Sequence, residues 1–125
     1  MPKPEEKIHI GLCDYLKYQY PKVLFLSEAS GVRTSIGQSV KLKKMRSTDV
    51  HLDIYIMEPT RFHGLILEVK AKSVYKKDGT LLKSEHLEDQ QKTIDKLNSK
   101  GYYATFVFSL DEGIKIIDKY LKGEL

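Results

Sequence analysis

A chain of 125 residues makes one compact domain, 1–125, and is too short for two ordinary ones. Its balance of 41% hydrophobic and 30% charged residues argues against disorder, and its single cysteine, Cys13, excludes an internal disulfide and a Cys-rich zinc site. Lys and Arg number 21 against 17 Asp and Glu, a net charge of +4 that permits a nucleic-acid partner without demanding one.

The first helix is expected from about Glu5 to Tyr20. Ile8, Leu12 and Leu16 recur at helical spacing, and Pro21 stops it. Val23–Leu26 is a short apolar run, read as a strand. Gly31 and Gly37 bracket a polar stretch, and a short basic helix is expected over about Ser39–Arg46. His51–Met57 and Gly64–Lys70 both alternate, with turn chemistry at Pro59 between them, and so predict an antiparallel hairpin. Lys76–Thr80 is a turn. A long helix follows from about Ser84, a plausible N-cap, to Lys100, with Gly101 as its stop. Tyr102–Phe108 is aromatic and β-branched, hence a strand, and Ser109-Leu-Asp-Glu112 is a capping box for a last helix ending near Leu121. All four prolines (2, 4, 21 and 59) are expected outside regular elements. The predicted fold class is α/β, a mixed sheet with helices packed on it. No apolar run approaches the roughly 18 residues of a membrane span. The N-terminal stretch has no secretory core, so a cytoplasmic location is expected.

A hairpin turn centred between Thr60 and Arg61 sets Asp53 opposite Glu68, Tyr55 opposite Ile66 and Met57 opposite Gly64. One face then carries Leu52, Ile54, Ile56, Leu65, Leu67 and Val69, and belongs in the core. The other carries Asp53, Tyr55, Ile66, Glu68 and Lys70. Like charges directly opposed on a sheet are destabilising unless something neutralises them. A divalent cation does so, since Mg²⁺ is held by one or two carboxylates plus water and phosphate oxygens. Two acids and a lysine around a hard metal suit phosphodiester hydrolysis. The metal polarises the phosphate and activates water, while the lysine orients that water or offsets developing charge. The same pattern also describes a solvated sheet face of acids and lysines.

Between Arg33 and Lys77 ten basic residues meet four acids, a surplus larger than that of the whole chain. Arg33, Lys41, Lys43, Lys44, Arg46 and Lys72 are the candidate contacts to a DNA backbone, with the run 41–46 the densest. No base-reading motif is evident, which points to recognition by shape and phosphate. The histidines show no zinc-ligand spacing. Tyr55 is the aromatic expected nearest to DNA, and Cys13 is expected in the core.

At this point the chain resembles the virus-type replication-repair nuclease (VRR-NUC) domain of the PD-(D/E)XK superfamily. The residues that carry the resemblance are Glu5 or Glu6 at the first helix, Tyr15-Leu16, Tyr20-Pro21, Gly31-Val-Arg33, Leu42-Lys-Lys-Met45, Asp53, Glu68-Val-Lys70, Asp78-Gly79, Gln90, Leu97 and Gly101-Tyr102. Leu52 stands where that family usually has proline. The resemblance implies a restriction-endonuclease-like αβββαβ core and Mg²⁺- or Mn²⁺-dependent cleavage of DNA. Asp53, Glu68 and the Val69 carbonyl would hold metal, Lys70 would assist the attacking water, Gln90 (or Gln91) would reach in from the long helix, and Glu5 or Glu6 would complete the edge. It further implies a homodimer that cuts branched DNA such as four-way junctions. A catalytically silent, junction-binding module on the same fold is the alternative.

Overall fold

The computed structural model describes residues 3–28, 35–47 and 50–125, with backbone only at Ser39. Gly31-Val-Arg33, part of the resemblance, lies outside the described residues.

The first helix, α1, spans Pro4–Gln19. Pro4 occupies its first turn, where a missing N–H costs nothing, and this corrects its placement outside regular structure. Glu5 and Glu6 follow at the positive end of the helix dipole, and Leu12 and Leu16 are its buried residues. The edge strand β1 is Phe25–Ser27, shifted C-terminally from the apolar run at 23–26. Helix α2 is Ile36–Lys44 and starts three residues earlier than expected. Ser35 accepts from the Gln38 N–H while the Gln38 side chain accepts from the Ser35 N–H, a capping box that outweighs Gly37.

The hairpin strands are β2, Ile54–Ile56, and β3, Leu65–Val69. Their register, Ile54 with Leu67, Tyr55 with Ile66 and Ile56 with Leu65, is the one a turn centred at 60–61 dictates. Helix α3, Glu85–Ser99, is N-capped by the Ser84 hydroxyl. At its other end Gly101 takes φ +95°, the Tyr102 N–H reaches Leu97 O and the Gly101 N–H reaches Asn98 O, which closes a Schellman motif. A Cβ at Gly101 would also lie 2.6 Å from the His63 ring. Strand β4, Tyr103–Val107, pairs parallel with β3, and α4, Leu110–Leu121, is capped by Ser109.

The four strands form one sheet in the order β1-β2-β3-β4, antiparallel except for the last pair. Helices α1 and α4 cover one face, where Leu12, Leu16, Ile117 and Tyr120 pack on Ile54, Ile56, Leu65, Leu67, Val69 and Val107. The two helices approach closely at Gly113, where a Cβ would meet Leu12 at 2.6 Å. The Tyr15 and Tyr20 hydroxyls both donate to Asp118 Oδ1, at 2.6 and 2.7 Å, which ties α1 to α4. The buried Tyr120 hydroxyl donates to Glu58 O and so anchors the hairpin loop.

The second face is not the solvated surface its charges suggest. Ile94 of α3 packs there with Ile66, Val74, Ala104, Phe106 and Leu52. Leu52 was expected with the α1/α4 core. Regular pairing begins only at Ile54, so residue 52 escapes the alternation. Its N–H is instead taken by the Tyr55 hydroxyl at 3.0 Å. No helix among the described residues is long and apolar enough to cross a membrane.

Candidate active site

Asp53 enters the site from the residue before β2, and Glu68 from the middle of β3. Regular pairing stops at Ile54–Leu67, and Asp53 lies beside Glu68 just past that last pair. Both are buried, at 6% and 5% exposure. Asp53 is fixed at both ends: its N–H donates to Leu67 O, and its Oδ2 accepts from the Val69 N–H at 2.8 Å. The helix that closes the second face supplies Gln90, only 3% exposed, whose Nε2 donates to Glu68 Oε2 at 2.9 Å. Lys70 Nζ sits 3.6 Å from the same oxygen, with its side chain 14% exposed. Gln91, the other candidate on α3, turns away to Tyr75 and Asp95. The structure therefore gathers Asp53, Glu68, Lys70 and Gln90.

Charge is under tension here. Burial, and then the neighbouring Asp53 carboxylate, pushes the Glu68 carboxyl up to about 8, while Lys70 pulls it back. Glu68 Oε1 and Gln90 Oε1 are buried without a hydrogen-bond partner. Two orphaned acceptor oxygens beside a strained carboxylate pair fit a hard divalent cation, which takes oxygen ligands and retains water. Among the described residues no group of three His, Cys, Asp or Glu side chains is placed to hold a metal. The side-chain donors are thus the two carboxylates, and a backbone carbonyl and waters would have to complete the shell.

The site opens into a cleft of about 680 Å³ whose far wall is α1. Glu5 and Glu6 are both exposed and both line it. Among the described residues its lining holds six carboxylates against three lysines, so the described centre is acidic. The expected basic residues lie elsewhere. Lys41, Lys43 and Lys44 are exposed along α2 and Lys72 beyond β3, none of them in the cleft lining. Arg46 is paired with Glu28 at 3.2 Å, and Arg33 lies outside the described residues.

Sequence reasoning did not single out Glu28, Asp14 or Ser27, which also line the cleft. Glu28 stands 3.9 Å from His51 Nδ1 and next to Arg46, and Ser27 bonds the His9 ring. An acid just past a strand and a serine within one carry no spacing signal, so only the fold could reveal them. Cys13 is half-buried on the α1 wall, where burial raises its thiol pKa.

A mixed sheet with helices on both faces, and two buried acids brought together beside its central hairpin, makes this an α/β fold. Scans against family models and against curated proteins return no match. A solved structure described as a VRR_NUC domain protein superposes with a TM-score of 0.68 over 98% of this chain and 91% of that one, at 19% sequence identity. The chain therefore has the fold of a VRR_NUC domain.

Proposed function

We propose that this chain is a VRR-NUC-type, metal-dependent endonuclease that hydrolyses DNA phosphodiester bonds. The observation that carries the reading is the buried Asp53–Glu68 pair, with Lys70 and Gln90 on Glu68 Oε2 and the Asp53 carboxyl against the same group. A solvated face of acids and lysines would leave these groups in water, whereas here they are desolvated and convergent.

Asp53 and Glu68 would hold Mg²⁺ or Mn²⁺, with the Val69 carbonyl as a further ligand. A divalent cation bound there supplies charge neutralisation at the phosphate and a bound water of lowered pKa. Each residue then has a task. The Val69 N–H holds Asp53 Oδ2, so the carboxylate is oriented before substrate arrives. Gln90 restrains Glu68 Oε2 and leaves Oε1 to ligate. Lys70 stands beside that carboxylate, placed to orient the attacking water and to offset charge developing on the phosphoryl oxygens. Glu5 and Glu6 bound the cleft on the α1 side, and Lys41, Lys43, Lys44 and Lys72 offer exposed charges to the flanking backbone. Branched DNA, four-way junctions included, is the proposed substrate. Two symmetric cuts need two sites, so the working unit is proposed to be a homodimer, and light scattering at assay concentration checks the mass.

The test is incubation with a labelled four-way junction in Mg²⁺ or Mn²⁺. The reading requires cleavage by the natural chain that stops in EDTA and falls by ~10²–10³-fold or more in Glu68→Ala, the scale of losing a principal electrostatic group. No cleavage, or equal cleavage by Glu68→Ala, overturns it. Salt-sensitive, EDTA-indifferent binding without cleavage would leave the silent junction-binding module.

A further inference from the structure

The open half of the second sheet face holds a feature that the cutting site does not use. Among the described residues α3 packs chiefly on β4, at the opposite side of that face from the edge strand β1. There Leu26, paired with Tyr55 across the ladder, is 63% exposed. A pocket of about 290 Å³ forms at this place. Among the described residues its apolar lining is Leu26, Val50 and Tyr55, and its polar lining includes Arg46, Glu28 and His51. Val50, His51 and Glu28 also line the large cleft, so the two spaces adjoin, and Asp53 lies two residues from His51.

We propose that this pocket takes one unpaired nucleobase of the DNA strand beside the scissile phosphate. The inference rests on the nuclease reading and specifies its substrate. An apolar floor with a few convergent polar groups is the form of a small-ligand site. The rim presents Arg46 and Glu28, paired with each other at 3.2 Å, whose remaining N–H groups and oxygen lone pairs are a donor and an acceptor for the mixed edge of a heterocyclic base. A base stacked inside a duplex cannot enter a concavity; one at a branch, flap or bulge enters without the cost of unstacking. Strands carrying an unpaired nucleotide next to the cut are thus the favoured substrate class.

The test uses the full chain in EDTA at low salt and measures anisotropy of a labelled branched DNA. One version carries a normal nucleotide at the unpaired position and the other an abasic residue. The base-bearing DNA should bind about 5- to 100-fold tighter, the range of one stacked base. Leu26→Trp, which fills the pocket from an exposed edge position, should erase the difference, and Arg46→Ala should reduce it. Equal binding of the two DNAs by the natural chain overturns the inference, as does an undiminished difference in a folded Leu26→Trp. Cleavage in Mn²⁺ is scored separately. A chain that cuts but ignores the unpaired base loses only the pocket, and a chain that prefers the base but never cuts loses only the nuclease reading.

Discussion

Glu68 concentrates the chemistry of this molecule in one proton. Its carboxyl is raised to about 8 by burial and by Asp53, so the metal-free protein keeps it largely protonated at neutral pH. A group whose folded pKa lies above its unfolded value adds stability at low pH and withdraws it as pH rises. The metal-free chain should therefore lose stability between about pH 4.5 and about 8. Glu68→Gln, which keeps the Gln90 contact but cannot ionise, should flatten that decline and melt above the natural chain at pH 8. Urea titrations at several pH values check this. The same proton competes with metal. Mn²⁺ affinity should rise up to tenfold per pH unit below about 8, with about one proton released per ion at pH 7. Calorimetry in buffers of different ionisation heat reads that proton directly. Were the affinity flat with pH, Glu68 would not be the group displaced.

At the scale of elements, the contact between α1 and α4 sets the far wall of the cleft. Gly113 permits it, and a larger side chain there collides with Leu12. Gly113→Leu should cost about 1–3 kcal/mol or more through overpacking. Tyr20→Phe removes one of the two hydroxyls on Asp118 and should cost about 1–2 kcal/mol. Thermal melts measure both. The element order, the hairpin register and the caps at Ser84 and Ser109 were legible in the sequence because they follow from local rules: alternation, a central turn and an oxygen before a helix. The same register brings Asp53 and Glu68 near one another, although the regular ladder ends at Ile54–Leu67. What local rules could not carry is depth. Asp53 and Glu68 are buried because α3 packs over their face, and nothing in residues 51–70 announces that cover. Alternation puts Leu52 on the face of Ile54 and Ile56, whereas pairing stops at Ile54 and Leu52 packs in the other layer. The start of α2 was set late because Gly37 obscured the Ser35–Gln38 box. Choosing Gln90 over Gln91 needed the helix phase that only packing fixes.

Across the whole molecule, charge is divided. The cleft is acidic at its centre, while the lysines of α2 stand apart from it. This division suits a polyanion held at a distance and brought onto a cation in the middle. Replacing Lys41, Lys43 and Lys44 together by Ala should weaken DNA binding uniformly across sequences and lower the slope of log affinity against log salt by up to about 3. An unchanged slope would remove α2 from the interface.

In the proposed enzyme Asp53 and Glu68 share one divalent ion on the face of the hairpin that carries Gln90. Anomalous scattering from a crystal soaked in Mn²⁺ tests it most directly. One strong peak is expected at about 2.0–2.3 Å from a carboxylate oxygen of each residue, including Glu68 Oε1, with Lys70 alongside. A soaked crystal with no peak between the two carboxylates, or with manganese held only by other groups, would contradict it.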